Sequence, residues 1–429
     1  MPAEFSSRAA LEVHQLAQLR ALLAALVPAN AFHSEKIAAA GLGTEPASLG
    51  EFTARMPFTT KAELIADQLA HPPFGTNLTF PLACYTRFNQ TSGTSGEPLR
   101  WLDTPENWDW MLDNWRIVFR AAGAPPGTRV FFAFSFGPFL GFWTAYEAAA
   151  RAGLFCIPGG GLGSEARLRM IFENRATILC CTPTYALRLG ETARATGLEM
   201  RDSPVGTIIV AGEPGGSIPA VRAQIKQLWP GARVFDHHGM TEVGPVTFEC
   251  PEKPGTLAVI ESSYFAEIVE PASGRAVAEG EVGELVLTTL GRTGSPLLRY
   301  RTGDLVRGIF VTTFSQPAPL LGLEGGILGR VDDMVIVRGV NIYPGALEQI
   351  IRKQTGVAEF QVEVRDENSM AELRVLVEPR EDCADTTALA RTLETELKAA
   401  LALRIPVRPV APGTLPRFEM KSKRWVRLP

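Results

Sequence analysis

The tightest constraint on the fold lies between residues 128 and 250, where short, almost wholly apolar runs alternate with stretches of helical periodicity. VFFAFSF, GLFCIPG, ATILCCTP, GTIIVAG and ARVFDHHG read as strands buried on both faces, because a half-exposed strand would alternate apolar and polar residues. Residues 140–152, 164–174, 184–197 and 217–229 read as helices between them. Parallel neighbours need such crossovers, so the pattern predicts a doubly wound parallel α/β sheet. From 255 to 313 the texture changes to polar/apolar alternation broken by Gly and Pro (YFAEIVEP, GELVLTTL, LVRGIFVTT), which predicts a small antiparallel, β-barrel-like subdomain.

Residues 8–40 carry Leu11, Leu16, Leu19, Leu22, Leu23 and Leu26 at helical spacing. Beyond FSQPAPLLGLEGGILGRVDD, a helix over 344–355, strands FQVEVRD and LRVLVEP, and a helix over 385–403 predict a separate α+β unit. At 429 residues the chain exceeds what one core usually organises. The reading is a large N-terminal domain over 1–329, a hinge near 330–333, and a small mobile C-terminal domain over 333–429.

A net charge of −4 from 42 basic and 46 acidic side chains leaves no electrostatic footprint for nucleic acid or an anionic membrane. Six scattered Cys without a CxxC pair, and an N-terminus without a basic-then-apolar pattern, predict a reduced cytoplasmic protein. The stretch Val130–Tyr146 is apolar but short, broken by Gly137, Pro138 and Gly141; it reads as a strand, a turn and a helix rather than a membrane span.

The segment Asn89-Gln90-Thr91-Ser92-Gly93-Thr94-Ser95-Gly96-Glu97-Pro98 alternates hydroxyl residues with glycine, so backbone N–H groups can crowd a polyanion. It lacks the spacing and Lys of a Walker A loop. Downstream lie His238-Gly239-Met240-Thr241-Glu242, Tyr300-Arg301-Thr302-Gly303-Asp304, Gly329-Arg330-Val331-Asp332-Asp333 and Lys421. This ordered set resembles the adenylate-forming superfamily. AGEP (211–214), GRVDDMVIVRGVNIYPGALE (329–348), LPRFEMK (415–421) and the MPFTTKAEL segment (56–64) resemble, more narrowly, the phenylacetate-CoA ligase family.

The resemblance implies an ATP- and Mg²⁺-dependent enzyme that joins a carboxylate to AMP and passes the acyl group to coenzyme A. Thr91, Ser92, Gly93, Thr94, Ser95 and Gly96 would cradle the β/γ-phosphates, Thr241 the α-phosphate, and Glu242 the metal. Gly212, Glu213, Pro214, Asp236, His237, His238, Gly239 and Met240 would surround the nucleotide, with Asp304 on the ribose. Arg330 would touch phosphate or ribose, Asp332 would be the hinge, and Lys421 the mobile catalytic cation, with Lys423 ranked second. His238 stands where the family usually has Tyr or Phe. A Cys250 corresponds to one near which relatives can carry a metal, but the following histidine is missing, so structural zinc is not expected.

For the acid, Phe134, Phe136, Phe139 and Phe142, with Tyr185, Ala211, Gly212 and Met240, are the candidate walls, and their aromatic character suits an aryl carboxylate. Two alternatives stay open: delivery of the acyl group to an amine or a carrier-protein thiol, and a non-catalytic acyl-adenylate binding protein. A homodimer fits the family, though no interface pattern is visible.

Overall fold

A computed structural model describes residues 5–91, 97–313, 316–333, 335–337, 340–342, 344–367, 370–401, 403–418 and 424–428. Four helices open the chain: α1 (Arg8–Leu26), α2 (Ala31–Ala39), α3 (Leu49–Arg55) and α4 (Lys61–Ala70). Each begins at a side-chain cap, from Ser7, Asn30, Ser48 and Thr60, which satisfies an otherwise orphaned N–H. At Thr60 the cap is reciprocal, Glu63 reaching back to the Thr60 N–H. Strands β1 (Arg87–Gln90) and β2 (Arg100–Asp103) then pair antiparallel, and their connection carries the Thr91–Gly96 run. Helix α5 (Pro105–Ala121), which the sequence analysis did not anticipate, buries Trp108, Met111 and Trp115 against the main sheet's core.

The apolar runs form the expected parallel sheet. In chain order it comprises β3 (Arg129–Phe132), α6 (Leu140–Arg151), β4 (Phe155–Pro158), α7 (Ser164–Glu173), β5 (Ile178–Cys181), α8 (Pro183–Ala195), β6 (Thr207–Val210), α9 (Pro219–Leu228) and β7 (Arg233–Asp236). Spatial order is β4-β3-β5-β6-β7, all parallel. Its two faces bury alternate residues: Phe132, Cys180, Ile209 and Phe235 toward α5 and α6, and Phe131, Leu179, Cys181 and Val210 toward α7, α8 and α9. The order reverses between β3 and β5, and a crevice outside the carboxyl ends of strands at such a switch is where open α/β sheets bind ligands. The Val130–Tyr146 stretch resolves into β3, a turn and α6; among the described residues no single helix is long and apolar enough to cross a membrane.

Beyond β7 come the short β8 (Gly239–Met240) and β9 (Gly244–Pro245), then β10 (Thr247–Glu249), β11 (Thr256–Val259), β12 (Tyr264–Val269), β13 (Val282–Thr289), β14 (Tyr300–Thr313), β15 (Gln316–Glu324) and β16 (Gly329–Arg330). The last seven form one antiparallel sheet, curled around the 14-residue β14, which pairs first with β13 and β16 and then with β15. The remaining elements are β17 (Val335–Val337), β18 (Val340–Ile342), α10 (Pro344–Lys353), β19 (Val357–Glu367), β20 (Met370–Pro379), α11 (Thr386–Leu401), β21 (Val407–Pro409) and β22 (Trp425–Leu428). Their core, including Leu347, Ile351, Phe360, Val375 and Leu393, is separate from the others. Strand β22 anchors the chain's end by parallel pairing with β19, Val362 opposite Trp425.

Candidate active site

Aromatic residues gather where the sheet order reverses. Past the end of β3, Phe134 stacks on Phe142 of α6 (centroids 4.5 Å, planes 17° apart), Phe136 meets Phe134 edge-on at 6.3 Å, and Phe139 meets Phe142 at 6.0 Å. Met240 packs against the same core, so the aromatic cluster adjoins the His238–Glu242 segment. Tyr185 does not join it. That ring is fully buried on the opposite face of the sheet, its hydroxyl 3.1 Å from Ser164 Oγ, because α8 turns it toward α7. Ala211 and Gly212 follow β6 at the same sheet edge, Gly212 exposed with φ +93°.

The Gly239–Glu242 segment is held from beneath. A Cβ at Gly239 would lie 2.7 Å from the Gly244 carbonyl oxygen, so no larger residue fits the β8–β9 hairpin. Arg292, with no exposed surface, forks onto Asp103 (2.7 Å on both arms) and donates through Nη1 to the carbonyls of Thr241 (2.9 Å) and Glu242 (2.8 Å). One guanidinium thus ties β2, which leads out of the TSGTSG connection, to the Thr241–Glu242 turn. The Glu242 carboxylate is buried, 3.3 Å from Lys61 Nζ, and accepts from the Tyr300 hydroxyl at 3.5 Å. Burial and that carboxylate push the Tyr300 phenol well up, so it stays a donor.

Asp304 sits on β14 opposite Arg330 of β16, which donates from Nη1 to Asp304 Oδ1 at 3.0 Å. The same guanidinium grips Asp332 at 2.8 and 3.0 Å. Gly303 (φ +78°) lets the arginine close in: a Cβ there would stand 2.7 Å from Nη2. Asp304 Oδ2 and His238 Nε2 are in ion-pair contact at 3.1 Å, and among the described residues neither of these buried atoms makes an aligned hydrogen bond. Asn89 Nδ2, on β1, is likewise buried and unpartnered.

Asp236 and His237 face inward. Asp236 accepts from Ser217 Oγ at 2.6 Å, and burial pushes its carboxyl up to about 7. His237 packs its ring 4.3 Å from that of Trp115, with Nδ1 2.6 Å from the Thr247 carbonyl oxygen, and burial pushes it down to about 3. Glu213 accepts from the Thr184 N–H at 2.8 Å, and Pro214 is exposed. Cys250 Sγ donates to Glu252 at 3.3 Å, and among the described residues no group of three or more His, Cys, Asp or Glu is placed to hold a metal. Ser92, Gly93, Thr94, Ser95, Gly96, Lys421 and Lys423 lie outside the described residues. Sequence reasoning missed Arg292, Asp103 and Lys61; only Lys61, inside MPFTTKAEL, stood in a recognisable segment.

Residues 88–291 match the model of AMP-binding enzymes, and residues 339–427 that of the AMP-binding enzyme C-terminal domain. Phenylacetate-coenzyme A ligase of Pseudomonas putida is 30% identical over 98% of this chain and 95% of its own length. The enzyme of that name from Thermus thermophilus is 31% identical, covering 96% and 94% respectively. A 2-hydroxyisobutyryl-CoA ligase in the postadenylation state, in complex with 2-HIB-AMP, superposes with a TM-score of 0.92 at 27% identity, over 99% of this chain and 91% of that one. The same ligase with 2-HIB-AMP and CoA in the thioesterification state gives 0.74 at 28% identity and the same coverage. The chain therefore belongs to the phenylacetate-coenzyme A ligase family of AMP-binding enzymes and is an AMP-forming acid–thiol ligase.

Proposed function

We propose that the acid is an aryl carboxylate and the thiol that of coenzyme A. The observation that carries the aryl reading is the ring cluster Phe134–Phe136–Phe139–Phe142 at the switch point, beside Met240; stacked and edge-on faces of this kind favour a flat ring. No charged side chain takes part in those ring contacts, which suits an acid whose only charge is the reacting carboxylate. Ala211 and Gly212 complete the walls; Tyr185 acts only behind the sheet.

The residues present fit a Mg²⁺–nucleotide complex. Among the described residues, Asn89 Nδ2 is buried without a hydrogen bond, and His238 Nε2 and Asp304 Oδ2 meet only each other, 3.1 Å apart, which leaves these groups able to take partners from a ligand. Asp304 would accept from the ribose hydroxyls with Arg330 alongside, and His238 would lie against the adenine. Thr91–Gly96 and Thr241 would hold the phosphates, with Glu242 as the metal carboxylate. When bound, Mg²⁺ supplies charge neutralisation for the departing pyrophosphate. The acid is already a nucleophile, so the protein's task is orientation and charge compensation. Its oxygen attacks the α-phosphorus as pyrophosphate leaves, and Lys421 would meet the charge that develops. The CoA thiolate then attacks the acyl carbonyl and AMP leaves, the thiol proton passing to solvent.

The unit over 333–429 would swing about 330–333 between these half-reactions. In the present arrangement Asp332 is tethered through Arg330 to Asp304. Six free thiols, Cys180 and Cys181 deeply buried, support a reducing compartment.

The deciding experiment measures pyrophosphate and AMP release over a panel of aryl and alkyl acids, with and without CoA. Aryl acids should turn over fastest, and AMP release should require CoA. Turnover indifferent to CoA but stimulated by an amine would overturn the reading.

A further inference from the structure

A buried ionic seam joins the C-terminal unit to the large sheet, away from the groups assigned to the chemistry. Arg424 forks onto Glu359 (2.7 and 3.1 Å), and Arg352 lies 3.4 Å from the same carboxylate. Glu348 stands 3.5 Å from both arginines. These four groups belong to one unit, and they leave Arg424 6% exposed with its guanidinium plane fixed.

Two hydrogen bonds leave the cluster and cross to the large domain. Arg424 Nη2 donates to Thr184 Oγ1 at 3.4 Å, and Gln224 Nε2 donates to the Arg352 carbonyl at 3.1 Å. Thr184 opens α8, and its N–H is the one received by Glu213 of the AGEP turn, whose charge also acts on Arg424. Arg424 therefore touches the element beside the nucleotide site from the other unit. It stands three residues after Lys421 and immediately before β22, which pairing with β19 holds in register. Because the two stand three positions apart in the chain, the seat of Arg424 limits how far from it Lys421 can reach.

We propose that Arg424, seated on Thr184 and backed by the Gln224 bond to its neighbour Arg352, is a positioning residue for adenylation: it holds the C-terminal unit in the orientation that delivers Lys421 to the α-phosphate. This rests on the assignment of Lys421 to the first half-reaction. The chain superposes on the related ligase with a TM-score of 0.92 in its postadenylation state and 0.74 in its thioesterification state, so the arrangement that contains the seam is closer to the former. Among the described residues, two hydrogen bonds from this cluster cross, and Glu359 and Glu348 pair with arginines of their own unit, so parting those two bonds strands neither carboxylate.

The test separates the half-reactions in the full-length enzyme. The double variant Thr184→Val/Gln224→Leu removes both crossing bonds and leaves the four-residue cluster intact. Acid-dependent ATP–pyrophosphate exchange should fall about 30-fold, the lower end of what a charged and a neutral hydrogen bond contribute together. CoA thioester formation from supplied acyl-adenylate should stay at the wild-type rate, and the KM for the acid should not move. Equal loss in both assays would mean a structural role and would overturn the proposal, as would unchanged exchange. Arg424→Lys, which keeps the charge but loses the fork, should show the same one-sided loss. A wild-type enzyme that makes no acyl-adenylate would instead overturn the functional reading, and the seam's role with it.

Discussion

Two arginines serve the two halves of the site in different ways. Arg292 is fully enclosed, forks onto Asp103 and binds two carbonyls, all at 2.7–2.9 Å. Arg330 is 31% exposed and divides itself between Asp304 on β14 and Asp332, two residues further along the chain. Removing either partner of an enclosed pair strands a charge, whereas a half-exposed arginine can exchange carboxylates at little cost because water covers what it leaves. On the proposed reading, the Arg292 side of the site would stay fixed and the Arg330 side would be able to exchange partners.

The largest expected effect probes the mobile side. Lys421→Ala should lower pyrophosphate exchange by roughly 100- to 1000-fold, the scale on which one transition-state charge contact acts, while ATP still binds. Exchange at the wild-type rate would remove Lys421 from the mechanism. On the fixed side, Arg292→Met should destabilise the fold by about 3–5 kcal/mol in denaturant titrations, because Asp103 is left buried and unpaired. The double variant Arg292→Met/Asp103→Leu should recover most of that stability yet keep a raised KM for Mg-ATP, since nothing then grips the Thr241 and Glu242 carbonyls. Full kinetic recovery would reduce Arg292 to packing.

Asp304→Asn should raise the KM for ATP about tenfold, by weakening charge-assisted acceptance, with the KM for the acid unchanged. A matching rise in both would move Asp304 out of the nucleotide site. The smallest effect concerns pH. Asp236 has its folded pKa raised to about 7 from the ordinary 3.8, so its contribution to stability is complete below about pH 4 and is lost as pH rises through 7. Between pH 5 and 8, wild-type Tm should therefore fall relative to Asp236→Asn; parallel curves would show the carboxyl ionised throughout.

Much of this was legible in the residues. The apolar runs specified strands and their crossovers, although VFFAFSF was read as one strand and β3 stops at Phe132. Phe134 and Phe136 continue the apolar run because they join a ring cluster, not a sheet ladder. Helix α5 was legible but unread: Trp108, Met111, Leu112, Trp115, Val118 and Phe119 recur at helical spacing behind a Thr104 cap. Asp236 and His237 were read from their neighbours in the motif; the sequence did not show that Asp236 meets Ser217 and His237 meets Trp115.

Local chemistry, then, was determined by the chain order itself: which segments turn, which strands are doubly buried, and where hydroxyls, carboxylates and a late lysine stand relative to one another. Those follow from short-range sterics and hydrophobic period, which act within a few residues. Tertiary structure alone decided which face Tyr185 takes, that Arg292 meets Asp103 across 189 positions, and that Arg424 reaches Thr184 across 240. Such partners are selected by the packing of distant elements, and a buried charge leaves no periodic trace that would name its counterion in advance.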